Sequence, residues 1–172
     1  MFTIGIDPGQ KGGIAFYSPN EVIIYPTPVV MVSYVKTVKG KSKKMTRSEM
    51  NLDEAVSLIM NIDNDYRDVI DCAYLEHVTA GRQQGATSMF RFGQNFGQWQ
   101  GILTGLGIRT ALVRPQKWKK HCGLIGSAKN GSLKLARKNF PNNGDSFRLV
   151  KQDGLAEAAL IAKYGHEIER DI

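Results

Sequence analysis

No run in this chain approaches the ~20 consecutive apolar residues that a membrane helix needs. The N-terminus enters a strand directly, so neither a signal nor a transit peptide is expected. Cysteine is scarce: Cys72 and Cys122 stand alone. Cys72 falls in a predicted buried strand, which favours a reduced thiol over a disulfide or a metal ligand. Histidine is scarce too, with three in all. No His/Cys cluster is available for zinc, and no Ser-His-Asp arrangement is evident. Together these absences point to a cytoplasmic protein. Acid is missing from one long stretch. Residues 26–48 carry Lys36, Lys39, Lys41, Lys43, Lys44 and Arg47 but no Asp or Glu. Over the whole chain Lys and Arg number 23 against 16 acids, for a net charge of +7 and a pI near 9.5. That balance favours a polyanionic partner, nucleic acid first and an anionic membrane second. A merely solvated basic surface would carry the same charge.

The 172 residues suffice for one domain, 1–172, with a sizeable core. Residues 1–25 predict a meander of three strands, 2–7, 12–18 and 21–25. Phe2, Ile4 and Ile6 alternate with Thr3, Gly5 and Asp7, which is strand periodicity. Pro8-Gly9 is turn chemistry, and Gly12-Gly13 permits close approach of another group. Asp7 ends an apolar strand, where a carboxylate is costly without a partner. A simple Asx turn is the alternative. The prolines and the run of like charge make 26–48 a long, partly mobile basic loop. A helix at 52–62 follows, capped by Asn51 or Ser48, with Leu52, Ala55, Val56, Ile59 and Met60 as its buried stripe. A nearly continuous apolar strand at 69–75 ends in Glu76, the second carboxylate delivered by a strand end.

Residues 86–105 predict a long helix with a buried stripe of Met89, Phe92, Phe96, Trp99 and Leu103. Gly93, Gly97, Gly101 and Gly105 step by four on a neighbouring face. Each costs about 1 kcal/mol relative to Ala, so close packing must offset them. The partner is either another element of this chain or the same helix of a second copy. A fifth strand at 108–113 leads into the basic segment 114–121. There Arg114, Lys117, Lys119 and Lys120 suit phosphates, while Trp118 either stacks on a base or is buried. Ser127 is expected to cap a basic helix at 128–139, and 142–145 reads as a loop. The last helix, 152–164, is Ala-rich and almost without a polar face. Asp153 and Glu157 nevertheless stand four apart on one side, where like charges repel. A divalent cation with hard oxygen ligands answers that repulsion better than a Lys.

Asp7, Glu76, Asp153 and Glu157 together suggest an acidic pocket for two divalent cations in a basic protein, a combination suited to phosphodiester hydrolysis. Three motifs sharpen this: Ile4-Gly5-Ile6-Asp7-Pro8-Gly9, Tyr74-Leu75-Glu76, and the run from Asp153-Gly154-Leu155-Ala156-Glu157 to Ala162. In order and spacing the chain resembles the RuvC-type Holliday junction resolvases, in the phage and organelle branch. The resemblance implies an α/β, ribonuclease H-like fold with a mixed five-stranded sheet flanked by helices. It implies two Mg2+ ions, with Mn2+ as a substitute, held by Asp7, Glu76, Asp153 and Glu157. It also implies a homodimer, here through Gly93, Gly97 and Gly101, and paired nicks in four-way junction DNA inside a bacterial or phage-infected cell. Lys39, Lys41, Lys43, Lys44, Arg82, Arg114, Lys117, Lys119 and Lys120 would then contact DNA. Leu155 stands where that branch usually carries Arg, and Asp153 occupies a position that is His or Asp in the family.

Three other readings remain open from the sequence. An actin-like ATPase also opens on an Ile-Asp-x-Gly turn but needs two such subdomains. A ribonuclease H-like module without catalysis would not need all four carboxylates. A nuclease of the same fold could act on RNA–DNA hybrids or branched DNA instead.

Overall fold

Alternation in β1 (Phe2–Asp7) sends Phe2, Ile4 and Ile6 to one face of a sheet and Thr3, Gly5 and Asp7 to the other. The structure, a computed structural model, describes residues 1–38, 40–66, 70–77, 79 and 85–170. β1 is the centre of a five-stranded sheet. β2 (Gly13–Tyr17) and β3 (Val22–Pro26) extend it antiparallel on one side; β6 (Ile70–Glu76) and β7 (Thr110–Val113) extend it parallel on the other. The mixed sheet with helices on both faces is the expected architecture. β7 begins at Thr110 rather than at 108, since Gly107 turns the chain with φ 72° and Ile108 bonds back to Leu103.

Each sheet face builds its own core. On one side Ile4, Ile6, Ile14, Phe16, Ala73 and Leu75 pack beneath α1 (Leu52–Tyr66) and α2 (Ala86–Gly105). On the other, Cys72, Tyr74 and Val113 meet α3 (Pro115–His121), α4 (Gly131–Asn139) and α5 (Asp153–Arg170). α5 lies directly on β1, because a Cβ on Gly5 would collide with the backbone of Ala158 and Ala162. The glycine and the alanines together let a helix rest on strand backbone. No described helix is long and apolar enough to cross a membrane.

Several expectations need correction. Residues 26–48 are not a loop. β4 (Val29–Val38) and β5 (Lys41–Met50) pair from Val29–Met50 to Val38–Lys41 as a separate two-stranded sheet. The β-branched run Val29, Val30, Val32, Val35 and Thr37 favours strand, and Gly40 at φ 75° supplies the left-handed turn residue. In α1 the buried stripe is Ala55, Ile59 and Ile62, while Leu52 and Met60 are exposed. Asn51 does cap α1, its Oδ1 accepting the Glu54 N–H at 3.2 Å. In α2 only Trp99 and Leu103 of the expected stripe are fully buried, and Asn95 joins them. α4 starts at Gly131, because Ser127 bonds back to Leu124 in a turn instead of capping. Residues 141–147 form a 3-10 helix rather than a loop. α5 runs on past 164 to Arg170.

Candidate active site

The register of two parallel strands assembles the site. Ile6 pairs with Leu75, so the residues that follow, Asp7 and Glu76, emerge side by side at the strand ends. Alternation sends both toward α5: Thr3, Gly5 and Asp7 from β1; Cys72, Tyr74 and Glu76 from β6. α5 brings Asp153 and Glu157 to the same place. The fit is close at Gly154, where a Cβ would meet Lys11 and Gly12 backbone and lie 2.8 Å from Asp7 Oδ2. All four sequence-predicted carboxylates therefore converge.

Their environment is unusual for carboxylates. Burial pushes Asp7 up to about 6; the Gly9 N–H, 3.1 Å from its Oδ1, opposes this, and the Glu157 charge adds to it. Glu76 is 8% exposed. Burial and the Asp7 charge raise it to about 7, against the pull of a hydrogen bond from Trp118. Burial and Glu157 also raise Asp153, whose Oδ1 is buried and has no hydrogen-bond partner. Asp7, Glu76 and Asp153 therefore take up a proton or a cation more readily than exposed carboxylates do, because burial and neighbouring charge both disfavour their anions.

One cation already stands among them. Lys119 Nζ is 2.9 Å from Glu157 Oε1. Burial disfavours its ammonium, but Glu157, Glu76 and Asp153 hold its pKa above the usual value. Lys119 is thus a member of the acidic site, not the free surface contact expected from its basic segment. Trp118 is fully buried and donates its indole N–H to Glu76 Oε1 at 2.9 Å, which rules out base stacking by this ring. Ser132 Oγ donates to Glu157 Oε1 at 3.1 Å. Sequence reasoning missed the roles of Trp118, Lys119 and Ser132, since no spacing links segments so far apart in the chain.

The remaining predicted residues lie elsewhere. Lys41, Lys43 and Lys44 are exposed on β5; Arg114, Lys117 and Lys120 are exposed at and along α3. Lys39 and Arg82 lie outside the described residues. Gly93, Gly97, Gly101 and Gly105 meet nothing within 4 Å, so no described part of this chain packs on the glycine face of α2.

The donor set suits hard divalent cations: carboxylate oxygens only, one of them orphaned at Asp153. Among the described residues, the trio of acid, Cys or His ligands with donor atoms all within 4.8 Å of one another is a different one, Asp71, Cys72 and Glu169. It sits at the opposite end of β6, and Arg109 bonds Glu169 at 2.8 Å and approaches Asp71 at 3.7 Å. Asp7, Glu76, Asp153 and Glu157 are spread more widely, around Lys119.

The sheet order, with carboxylates at the ends of its central strands, defines the ribonuclease H-like fold. Among solved structures, RuvC takes this fold over nearly the whole chain. T. thermophilus RuvC in complex with Holliday junction substrate superposes with a TM-score of 0.58 at 14% identity, covering 98% of this chain and 96% of that one. The Thermus thermophilus RuvC structure gives 0.53 at 13% identity, covering 98% and 97%. Among curated proteins, the chloroplastic Holliday junction resolvase MOC1 of Chlamydomonas reinhardtii is 41% identical over 69 residues. That span is 40% of this chain and 8% of the relative's length. No family model matches the chain. The resemblance to RuvC-type resolvases read from the motifs thus meets a resolvase in sequence and RuvC in fold.

Proposed function

We propose that this chain is a structure-selective endodeoxyribonuclease that resolves four-way DNA junctions by paired, symmetric nicks. Asp7, Glu76, Asp153 and Glu157 would hold two divalent cations, Mg2+ in the first instance with Mn2+ able to substitute. The observation that carries the reading is the convergence of four carboxylates, at two adjoining strand ends and the first turns of α5, in a protein of net charge +7. Four carboxylates offer more oxygen donors than one ion would need, which supports a pair. When bound, such ions lower the pKa of water and stabilise developing charge on the leaving oxygen.

The chain's own groups do the rest. Trp118 fixes the orientation of Glu76, and Ser132 that of Glu157. Lys119, 2.9 Å from Glu157 Oε1, would be free to neutralise a phosphate oxygen if cations took over its charge-balancing role. The β4–β5 hairpin supports arm binding by an independent route. Lys36 lies directly opposite Lys43 in the ladder, an arrangement that destabilises the hairpin until an anion screens it. For assembly, the open glycine face of α2 supports a homodimer. Two sites about a two-fold axis match the two-fold related strands of a junction.

The test is cleavage of end-labelled four-way junctions, linear duplex and RNA–DNA hybrid, with and without Mg2+. Symmetric nicks confined to the junction are expected. Equal rates on duplex and junction, or preference for the hybrid, would assign the fold to another nuclease activity.

A further inference from the structure

Three of the four carboxylates in the acidic site each have one oxygen held by a donor of the protein itself. The Gly9 N–H donates to Asp7 Oδ1 at 3.1 Å. The Trp118 indole N–H donates to Glu76 Oε1 at 2.9 Å. The Ser132 hydroxyl donates to Glu157 Oε1 at 3.1 Å, and Lys119 Nζ stands 2.9 Å from the same atom. Among the described residues no hydrogen-bond donor reaches Asp7 Oδ2, Glu76 Oε2 or Glu157 Oε2. The turn after β1, the helix α3 and the helix α4 thus impose one pattern on three carboxylates: one oxygen tied, the other left. Asp153 differs, because its buried Oδ1 has no partner among the described residues.

The two side-chain donors are themselves held in place. Trp118 is fully buried in the core beneath α5, and Ser132 is 7% exposed. An indole has a single donor and no acceptor, so Trp118 presents Glu76 with one fixed N–H. With cations in place of Lys119, Ser132 is the donor that remains on Glu157 Oε1.

Coordination chemistry gives this pattern a consequence. A carboxylate that chelates one cation turns both oxygens toward it. A carboxylate that gives a single oxygen leaves the other for a hydrogen bond. Ca2+ takes about 6–8 oxygens in flexible geometry and accepts chelating carboxylates, whereas Mg2+ demands a near-ideal octahedron and keeps several waters. A carboxylate with one oxygen already tied meets the need of Mg2+ and leaves Ca2+ short of ligands. Hydrogen bonds of this kind orient metal ligands and tune the ion that they hold.

We propose that Trp118 and Ser132 are positioning residues that keep Glu76 and Glu157 as one-oxygen ligands and so set the acidic site for Mg2+ over Ca2+. The inference rests on the two-cation reading above.

The test is calorimetric titration of the DNA-free full chain with Mg2+ and, separately, with Ca2+. The ratio of the two affinities is the readout, because a general loss of order at the site weakens both ions alike. Trp118→Phe removes the donor and keeps a ring. It should move the ratio toward Ca2+ by about tenfold or more, the scale of a lost hydrogen bond to a metal ligand. Ser132→Ala should move it in the same direction, and Ser132→Thr, which keeps the hydroxyl, should restore the wild-type ratio. Ca2+ should also inhibit Mg2+-dependent junction cleavage at correspondingly lower concentration in Trp118→Phe and Ser132→Ala than in wild type. If circular dichroism shows that Trp118→Phe does not fold, the two Ser132 variants decide the matter. A wild type that binds neither ion overturns the two-cation reading and this inference with it. A wild type that binds both, with a ratio that the folded variants leave unchanged, overturns this inference alone.

Discussion

Lys119 reaches Glu157 across 2.9 Å, and through that one contact a basic helix supplies the counter-charge to an acidic pocket. The pair is half-buried and has Asp153 and Glu76 for company. A lysine so placed holds the site together when no divalent ion is present. In Lys119→Met the carboxylates lose that compensation. The metal-free variant should melt several degrees below wild type, on the order of 2 kcal/mol for removing one partner of a partly buried pair. Mg2+ should restore most of the difference. Thermal melts with EDTA and with Mg2+ check this; equal melting of both proteins in EDTA would deny Lys119 the role.

Asp7→Asn, Glu76→Gln and Glu157→Gln should each reduce cleavage by about a thousandfold or more, because each removes an anionic ligand without changing shape. Junction affinity should hold or rise, since loss of negative charge does not weaken attraction for phosphate. Gel-shift titration beside single-turnover cleavage separates the two effects. Substantial Mg2+-dependent cutting by Glu76→Gln would remove the metal assignment.

Asp7 near 6 and Glu76 near 7 have folded-state values above those of an unfolded chain, which lie around 4. Between about pH 4 and pH 7 the folded protein therefore holds protons that the unfolded chain has released, and stability falls as pH rises through that window. Relative to an Asp7→Asn/Glu76→Gln double variant, metal-free wild type should lose melting temperature from about pH 5 to about pH 8. Saturating Mg2+ should cancel the loss at the alkaline end, and cleavage should climb between about pH 6 and pH 7.5. A metal-free melting temperature that rises with pH relative to the double variant would contradict the burial of these groups.

Two sets of glycines should respond oppositely. Gly5→Ala places a Cβ against the backbone of Ala158 and Ala162, where nothing can yield, so about 2–5 kcal/mol of stability should go and expression should fail or fall. Gly97→Leu meets nothing within 4 Å among the described residues. It should leave the protomer folded but shift sedimentation from dimer to monomer. A wild-type monomer at micromolar concentration, free and on DNA, would rule out the dimer.

Replacing Lys41, Lys43 and Lys44 with Gln should weaken junction binding and reduce the slope of log affinity against log salt by about 0.7–0.9 per lost phosphate contact. The hairpin should itself become more stable as the Lys36–Lys43 repulsion disappears. An unchanged slope would make the hairpin a solvated ornament.

Much of this molecule was legible in one dimension. Strand alternation around Asp7 and Glu76 and the four-residue step from Asp153 to Glu157 are local patterns, and local patterns specify which face a side chain takes. The hairpin is not local information: charge and proline in 26–48 favour a loop, and the β-branched residues of 29–38 form a ladder only by pairing with 41–50. Trp118, Lys119 and Ser132 lay beyond any pattern. Their work depends on α3 and α4 packing against the face of α5 that also carries Glu157, and no periodicity encodes contacts between segments so separated. By itself the sequence determined the strands, the glycines that admit α5, and the identity of the carboxylates, because each follows from near neighbours in the chain. Tertiary structure alone decided which cation answers those carboxylates and which donors hold their oxygens, because burial and charge coupling exist only once distant segments share one space.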